Sequence, residues 1–392
     1  MPRLLYTYLI NQVLAPFYAS LIILTSILFL GQLIPILDII LDYDIALDDF
    51  IRLYAYFAPR ILLFALPMSS MMGVILGTTH INNENELMVL KSSGISLYRM
   101  LPPVALFAFS TAILTAFFSI YLIPAGNRAK VDLAFQLAKE KVERTMHEKR
   151  FSKSFGDVVL YADRIDQETR IWNGVYISDM RDPRYPVTII SESGNITADA
   201  GAGTLYISLH NGVMNRTTPG ALQTIDFTGY DMNLPLAVPT SSPIAKMDES
   251  TMLQSELLAE ADRLGKNTRA AVNYLNQFHK RLVLPVSCFI LTMLGFPLGF
   301  LAGPRHKSTG IPVGLAIFIF YYFLLTGSEI ISEAMVMPAA VAMWMPNLIF
   351  LVLTALFIKS VAGEGYTVTL EKLYDLSYAV YGRLPWRNRG PE

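Results

Sequence analysis

Apolar residues in this chain do not alternate with polar ones over most of its length; they run together. Stretches free of Asp, Glu, Lys and Arg occupy residues 4–37, 61–83, 100–127, 282–304, 308–328 and 334–358, which are 34, 23, 28, 23, 21 and 25 residues long. About 20 helical residues cross a hydrocarbon core of about 30 Å, and backbone groups in lipid must be paired within the segment. The pattern therefore predicts six transmembrane helices. They fall three and three around a polar insertion of about 150 residues, long enough to be a domain.

Inside the insertion the period changes. In 204–210, Leu205, Ile207 and Leu209 share one face, while Tyr206, Ser208 and His210 share the other. Short runs of the same kind at 157–165, 172–178, 187–191 and 222–227 are separated by turn chemistry: Ser193-Gly194-Asn195, Gly201-Ala202-Gly203 and Asn211-Gly212. This predicts an all-β sandwich or jelly roll of about 90 residues. It is flanked by charged helical stretches at 129–150 and 250–280. A linker punctuated by Pro235, Pro239 and Pro243 joins the last strand to the second of these.

Composition agrees with the membrane reading: 53% of residues are hydrophobic and only 16% charged, where a soluble domain carries about a quarter charged. The net charge of −1 provides no basic footprint for nucleic acid. The single cysteine, Cys288, excludes an intrachain disulfide and a Cys-based metal cluster. Arg3 precedes an uncharged run far longer than the roughly 7–15 residues of a signal-peptide core, so the first helix reads as a retained anchor. Lys91, Arg99, Arg305, Lys307, Lys359 and the tail arginines fall on the same side as Arg3. Asp38, Asp42, Asp44, Asp48 and Asp49 fall opposite, with Arg52 and Arg60. The positive-inside rule puts both termini in the cytoplasm and the β domain outside.

Signatures of catalysis are missing from the sequence: it holds no P-loop, no H-E-x-x-H among His80, His147, His210, His279 and His306, and no Gly-x-Ser-x-Gly elbow. The chain thus reads as a non-enzyme. Glu329 and Glu333, at the end of the fifth apolar run, are the candidates for an intramembrane proton path, with exposure to outside water as the alternative. The spacings Gly73/Gly77, Gly295/Gly299 and Gly310/Gly314 permit close helix contact, most simply within the chain.

Between the second and third apolar runs lies Asn82-Asn83-Glu84-Asn85-Glu86-Leu87-Met88-Val89-Leu90-Lys91-Ser92-Ser93-Gly94. Asn83 is placed to cap a helix, Glu86 to return the capping bond, and Gly94 to end it in a left-handed turn. A helix of about ten residues results, with Leu87, Leu90 and Lys91 on one face. Lying across the cytoplasmic ends of two spanning helices, it is shaped either to dock in a partner's groove or to serve as a capped, solvated turn. Glu86 fits a cap and an ion pair with a partner's Arg equally well.

The segment from Glu86 through Gly94-Ile95-Ser96-Leu97-Tyr98-Arg99 to Pro102 resembles the E-L-x-x-L-R-x-x-G-x-S segment of the lipopolysaccharide export permeases, the LptF/LptG family. His279-Lys280-Arg281, Pro285 and Leu294-Gly295-Phe296-Pro297-Leu298-Gly299 resemble that family's fourth helix. Tyr321-Tyr322, Pro338, Trp344, Pro346 and Asn347 extend the resemblance to about residues 1–360. The Met-Pro-Arg-Leu-Leu-Tyr start and the tail after Gly363 lean towards the F-type branch.

The resemblance implies a six-helix membrane protein with an inserted periplasmic β-jellyroll, acting as the permease of an ABC transporter in the bacterial inner membrane. An F-type and a G-type permease would pair over a dimeric ATPase, LptB, which binds ATP and Mg; this chain would bind no cofactor of its own. Lipopolysaccharide would enter between the permeases and leave through the β-jellyroll towards LptC and the periplasmic bridge. The family's coupling helix maps onto 84–93, giving Glu84, Glu86, Leu87, Leu90, Lys91 and Gly94 as coupling residues, with Glu86 as the acidic contact. The expected organisation is residues 1–127 for helices one to three, 128–150 for a connecting helix and 151–240 for the jellyroll. Residues 241–281 form a linker and connecting helix, 282–360 helices four to six and 361–392 a cytoplasmic tail. One departure stands out: family members often carry basic residues near the outer end of helix one, where this chain has Gln32, Asp38 and Asp42. Arg52 and Arg60 are the substitutes it offers for binding lipid phosphates, with interfacial anchoring as the alternative. Leu205, Ile207 and Leu209 are the candidate contacts for acyl chains. Two rival readings remain open: a mechanotransmission permease for another envelope substrate, and a membrane-anchored β-domain scaffold.

Overall fold

A computed structural model describes residues 2–43, 47–145, 148–155, 157–166, 169, 171–182, 184–199, 204–218, 221–234, 249–265, 268–301 and 310–362. Its helices are α1 (Pro2–Tyr43), α2 (Leu47–Asn83), α3 (Glu86–Ser92), α4 (Leu101–Phe117), α5 (Ile123–Thr145), α6 (Gln254–Leu264), α7 (Arg269–Leu301), α8 (Gly310–Glu333) and α9 (Ala339–Ala362). Among the described residues, six helical stretches are long and apolar enough to cross a membrane: Arg3–Leu33, Asp48–Asn83, Leu97–Leu133, Arg269–Phe300, Pro312–Glu333 and Ala339–Ala362. The six expected spans are present.

Several run past their charge-free windows because the charges at their ends are accommodated. Helix α7 begins at Arg269, so the charged stretch before the fourth apolar run is partly α6 and partly the opening turns of α7 itself. Lys280 in that extension pairs with Glu329 of α8, and Arg281 Nη1 donates to the Met252 carbonyl at 2.6 Å. Between α4 and α5 the helix passes through one π-helical stretch, Phe118–Leu122, immediately before Pro124. Proline has no N–H and its ring crowds the carbonyl four residues back; the wider turn accommodates both.

The chain divides into two compact units: residues 1–32, 58–124 and 252–392, and residues 33–57 and 125–251. In the first, α2 and α7 are central, 78% buried in their most apolar windows, whereas α1 is 11% buried. The glycine spacings explain the close contacts. A Cβ on Gly299 would sit 1.7 Å from Thr78 Oγ1, one on Gly295 2.8 Å from the Met71 carbonyl, and one on Gly77 2.8 Å from the Gln12 carbonyl. Each contact is within the chain; Gly310 is outside the described side chains. Tyr321 and Asn347 meet as well: the tyrosine hydroxyl donates to Asn347 Oδ1 at 2.9 Å, and Asn347 Nδ2 donates to the Val283 carbonyl at 3.0 Å. These positions lock α7, α8 and α9 together.

The second unit holds one antiparallel sheet of six strands in consecutive order: β1 (Ser152–Phe155), β2 (Val158–Ile165), β3 (Trp172–Asp179), β4 (Val187–Asp199), β5 (Thr204–Thr218) and β6 (Ala221–Leu234). Its core comprises Val158, Leu160, Trp172, Val175, Ile177, Ile189, Ile196, Ile207, Leu209 and Met232 with Ala162 and, from α5, Val131. Among the described residues, all but Val131 of this core come from the strands.

Two of the expected turns are strand interiors. Ser193-Gly194-Asn195 lies within β4 and Asn211-Gly212 within β5, and the two strands keep one register from Val187↔Arg216 to Asp199↔Thr204, interrupted only at Glu192 and Asn211. At this row the inward face changes parity. Ile189 and Ser191 are buried in β4, then Ile196; Ile207 and Leu209 are buried in β5, then Met214 packs on the core; in β6 the change falls between Phe227 and Tyr230. Side chains of a regular strand alternate strictly, so a parity change needs a local break. Asn211 supplies it with φ 51°, and Gly212 leaves room where a Cβ would meet the Ile190 carbonyl at 2.4 Å. The buried Ser191 hydroxyl lies 2.7 Å from the Ser193 carbonyl and 2.8 Å from that of His210, satisfying polar groups at the corner. The expected turn at 201–203, the Pro-punctuated linker and the tail after residue 362 lie outside the described residues.

Candidate functional site

The connection between α2 and α4 is built on the end of α2. Thr79 Oγ1 donates to the Gly299 carbonyl at 3.1 Å and Asn82 Nδ2 to that of Phe300 at 3.4 Å, fixing α2 against α7. The chain then reverses at Asn85, whose φ of 57° is left-handed, and enters α3. This differs from the capping box the sequence suggests. Asn83 is the last residue of α2, Asn85 makes no side-chain cap, and the Glu86 carboxylate is engaged elsewhere. A seven-residue helix results, two turns rather than three. Its far end is as expected: Gly94 has φ 79°, its N–H donates to the Lys91 carbonyl and that of Ile95 to the Leu90 carbonyl, both at 3.0 Å, the paired bonds of a Schellman stop.

Glu86 accepts a hydrogen bond on Oε2 from the Tyr8 hydroxyl, and Gln12 Nε2 donates to the Tyr8 oxygen at 3.1 Å. The sequence reading missed both partners, although a Tyr and a Gln four apart in a helix share one face. Leu87 and Leu90 are half-buried against a cluster containing Leu9, Val13, Phe17, Leu97 and Phe300. Lys91 is exposed and does not share their burial; Glu84 is exposed too. The outward face of α3 instead carries Met88, 70% exposed, and Val89, 63% exposed. After Gly94, a 3-10 turn at Leu97–Arg99 buries Leu97, leaves Tyr98 exposed, and leads to Pro102 and Pro103 in the first turn of α4, where a missing N–H costs nothing.

Gln32 is exposed at the end of the first unit; Arg52, 61% exposed at its side chain, lies 3.5 Å from Asp49; Arg60 is exposed. Ile207 and Leu209 are fully buried in the β core, and the Leu205 side chain is outside the described ones, although its backbone pairs with Ala198 and Leu234. Glu329 is held by Lys280, with Nζ to Oε2 at 2.8 Å, while both side chains keep some exposure.

The second unit has its own charged cluster. Arg181 makes three contacts to the Asp179 carboxylate, the closest at 2.6 Å, and its Nη1 donates to the Asn233 carbonyl at 3.1 Å. Arg181 thereby ties the end of β3 to the end of β6, strands not adjacent in the sheet. Burial by itself raises the Asp179 carboxyl, but the side-chain and backbone hydrogen bonds from Arg181 outweigh it and hold the group below its usual range.

Compared with known proteins, residues 7–360 match the family described as Lipopolysaccharide export system permease LptF/LptG. The Lipopolysaccharide export system permease protein LptF of Escherichia coli K12 is 21% identical over 354 residues, covering 88% of this chain and 92% of that protein. An uncharacterised protein of Rickettsia prowazekii, RP871, is 24% identical over 317 residues, covering 77% and 83%. With six apolar helices around an inserted antiparallel β domain and a family match spanning nearly the whole helical region, this chain belongs to the LptF/LptG family of lipopolysaccharide export permeases.

Proposed function

We propose that this chain is the transmembrane subunit of an ABC transporter that takes lipopolysaccharide from the inner membrane and passes it into its β domain, driven by a separate ATPase dimer (LptB). The observation that carries this reading is the two-sidedness of α3. Leu87 and Leu90 belong to the bundle, whereas Met88 and Val89 present an apolar outer face that water alone serves poorly. A short helix rooted in the spanning helices and apolar on its free side suits a groove on a partner. Glu84 and Lys91 frame that face, Gly94 ends it, and Glu86 retains lone pairs for a partner's cation beyond the one Tyr8 uses.

The topology follows the charge bias: α3 and both termini in the cytoplasm, the β domain in the periplasm. A second permease completes the lipid cavity, and a periplasmic bridge beginning with LptC receives the lipid. The exposed apolar faces of α1 and α8, with Ile22, Ile27, Phe320 and Phe323, are available to the second permease and membrane lipid. Arg52 and Arg60 are the basic groups this chain offers to lipid phosphates. The F-type place in the pair is favoured by the start of the chain and by its similarity to the E. coli protein LptF.

Purification from native membranes through a tag on this chain tests the reading. Recovery of an ATPase, a second permease of similar size and lipid A released by mild acid is the expected result. Recovery of the chain alone, under conditions that preserve membrane complexes, would overturn it.

A further inference from the structure

Helix α1 is gripped near its N-terminal end. Leu9, Val13 and Phe17 are buried at successive four-residue steps, and Gly73 and Gly77 of α2 let the helices touch: a Cβ on Gly73 would lie 2.7 Å from Phe17 Cβ. Beyond Phe17, Leu21 still packs on the bundle, while Tyr18, Ile22, Ile23, Ile27 and Leu30 are each more than half exposed. From Phe17 to Gln32 is about 22 Å of helix. At the gripped end, one polar link joins α1 to α3: Gln12 Nε2 to the Tyr8 oxygen, and the Tyr8 hydroxyl to Glu86 Oε2. Leu87 and Leu90 also pack towards this region, but apolar contacts slide, whereas a hydroxyl on a carboxylate fixes distance and direction.

We propose that Tyr8 is a positioning residue: it holds the Glu86 carboxylate at the start of α3 and makes displacement of α3 a displacement of α1. The proposal rests on α3 being the segment an ATPase moves. A rigid helix carries a small movement at one point along its length, and the apolar window of α1 is the least buried of the six. Gln12 orients the Tyr8 hydroxyl by occupying an acceptor site on its oxygen, which turns the proton towards Glu86.

The test uses the whole complex, this chain with its partner permease and ATPase, in proteoliposomes loaded with lipopolysaccharide, and reads ATP hydrolysis and lipopolysaccharide release separately. Tyr8→Phe keeps the ring and removes the link. The expected result is unchanged assembly and thermal unfolding, hydrolysis within about twofold of wild type, and release per ATP lowered about tenfold, the equilibrium equivalent of one charge-assisted hydrogen bond. Glu86→Gln combined with Tyr8→Phe should release no less than Glu86→Gln alone, because the second change removes a link already weakened. Wild-type release per ATP from Tyr8→Phe would overturn the inference while leaving the transporter reading in place. A fall in hydrolysis and thermal stability at constant release per ATP would overturn it too, reducing Tyr8 to packing. A wild-type complex that hydrolyses ATP without releasing lipopolysaccharide would overturn both the inference and the proposed function.

Discussion

Lys280 Nζ lies 3.0 Å from Glu329 Oε1 and 2.8 Å from Oε2, a two-oxygen contact that ties α7 to α8. One step along the same two helices, Ser332 donates to Asn276 Oδ1 at 2.7 Å, so the ion pair is one rung of a polar ladder. This accounts for an acidic residue beside an apolar span without a proton path. Each charge is tolerable because the other is present.

Removal of one partner should therefore cost more than removal of both. Lys280→Met is expected to destabilise the purified chain by about 1–3 kcal/mol, below the value for a fully buried pair because both side chains retain some exposure. Lys280→Met with Glu329→Gln should recover part of that loss. Thermal unfolding in detergent of the two single variants and the double variant checks the order.

Acid should loosen the β domain through Asp179. Its carboxyl is held below the usual range in the folded chain, so the folded state binds this proton less readily than the unfolded one. The contribution is complete above the unfolded value of about 4 and is lost as pH falls through the depressed folded value. Fluorescence of Trp172, buried in the β core, follows the transition. In Asp179→Asn, the part of the acid destabilisation that belongs to this group should vanish, and stability at neutral pH should be lower than wild type.

The two sides of α3 should separate folding from assembly. Val89→Asp and Met88→Asp alter exposed positions and should leave thermal unfolding within about 0.5 kcal/mol of wild type while weakening ATPase capture at least tenfold. Leu87→Asp puts a charge among Leu9, Val13 and Leu97 and should destabilise the bundle by about 2 kcal/mol or more. Equal loss of capture and stability in all three would contradict the two-sided assignment.

The spanning helices were legible because a run of more than twenty uncharged residues has one economical fold in lipid. Their true starts were not, since Lys280 and Arg281 interrupt a run only until their partners Glu329 and the Met252 carbonyl are known. In the β domain, alternation located β2, β3 and the first parts of β4, β5 and β6, but the runs in β4, β5 and β6 ended where interior parity changed. Asn211-Gly212 has the composition of a hairpin turn, and only its pairing partners reveal a bend within a strand. At the site, Gly94 was readable because a left-handed stop favours glycine. The destination of the Glu86 carboxylate was not, because Tyr8 lies 78 residues away in sequence and a nearby backbone N–H is equally plausible on spacing.

The buried β core also constrains the energetics of any apolar guest. Ile207, Leu209, Ile177 and Leu160 already shield one another from water. A chain of methylenes threading between them exchanges one dry neighbour for another and gains little from dehydration, most of which it has already enjoyed in the bilayer. If the β domain carries lipid as proposed, the path would have a shallow free-energy profile that neither traps the cargo nor draws it forward. Under the proposed function, direction of travel would then have to be imposed at the entrance, by a stroke that prevents return, with the interior needing only to part and reclose.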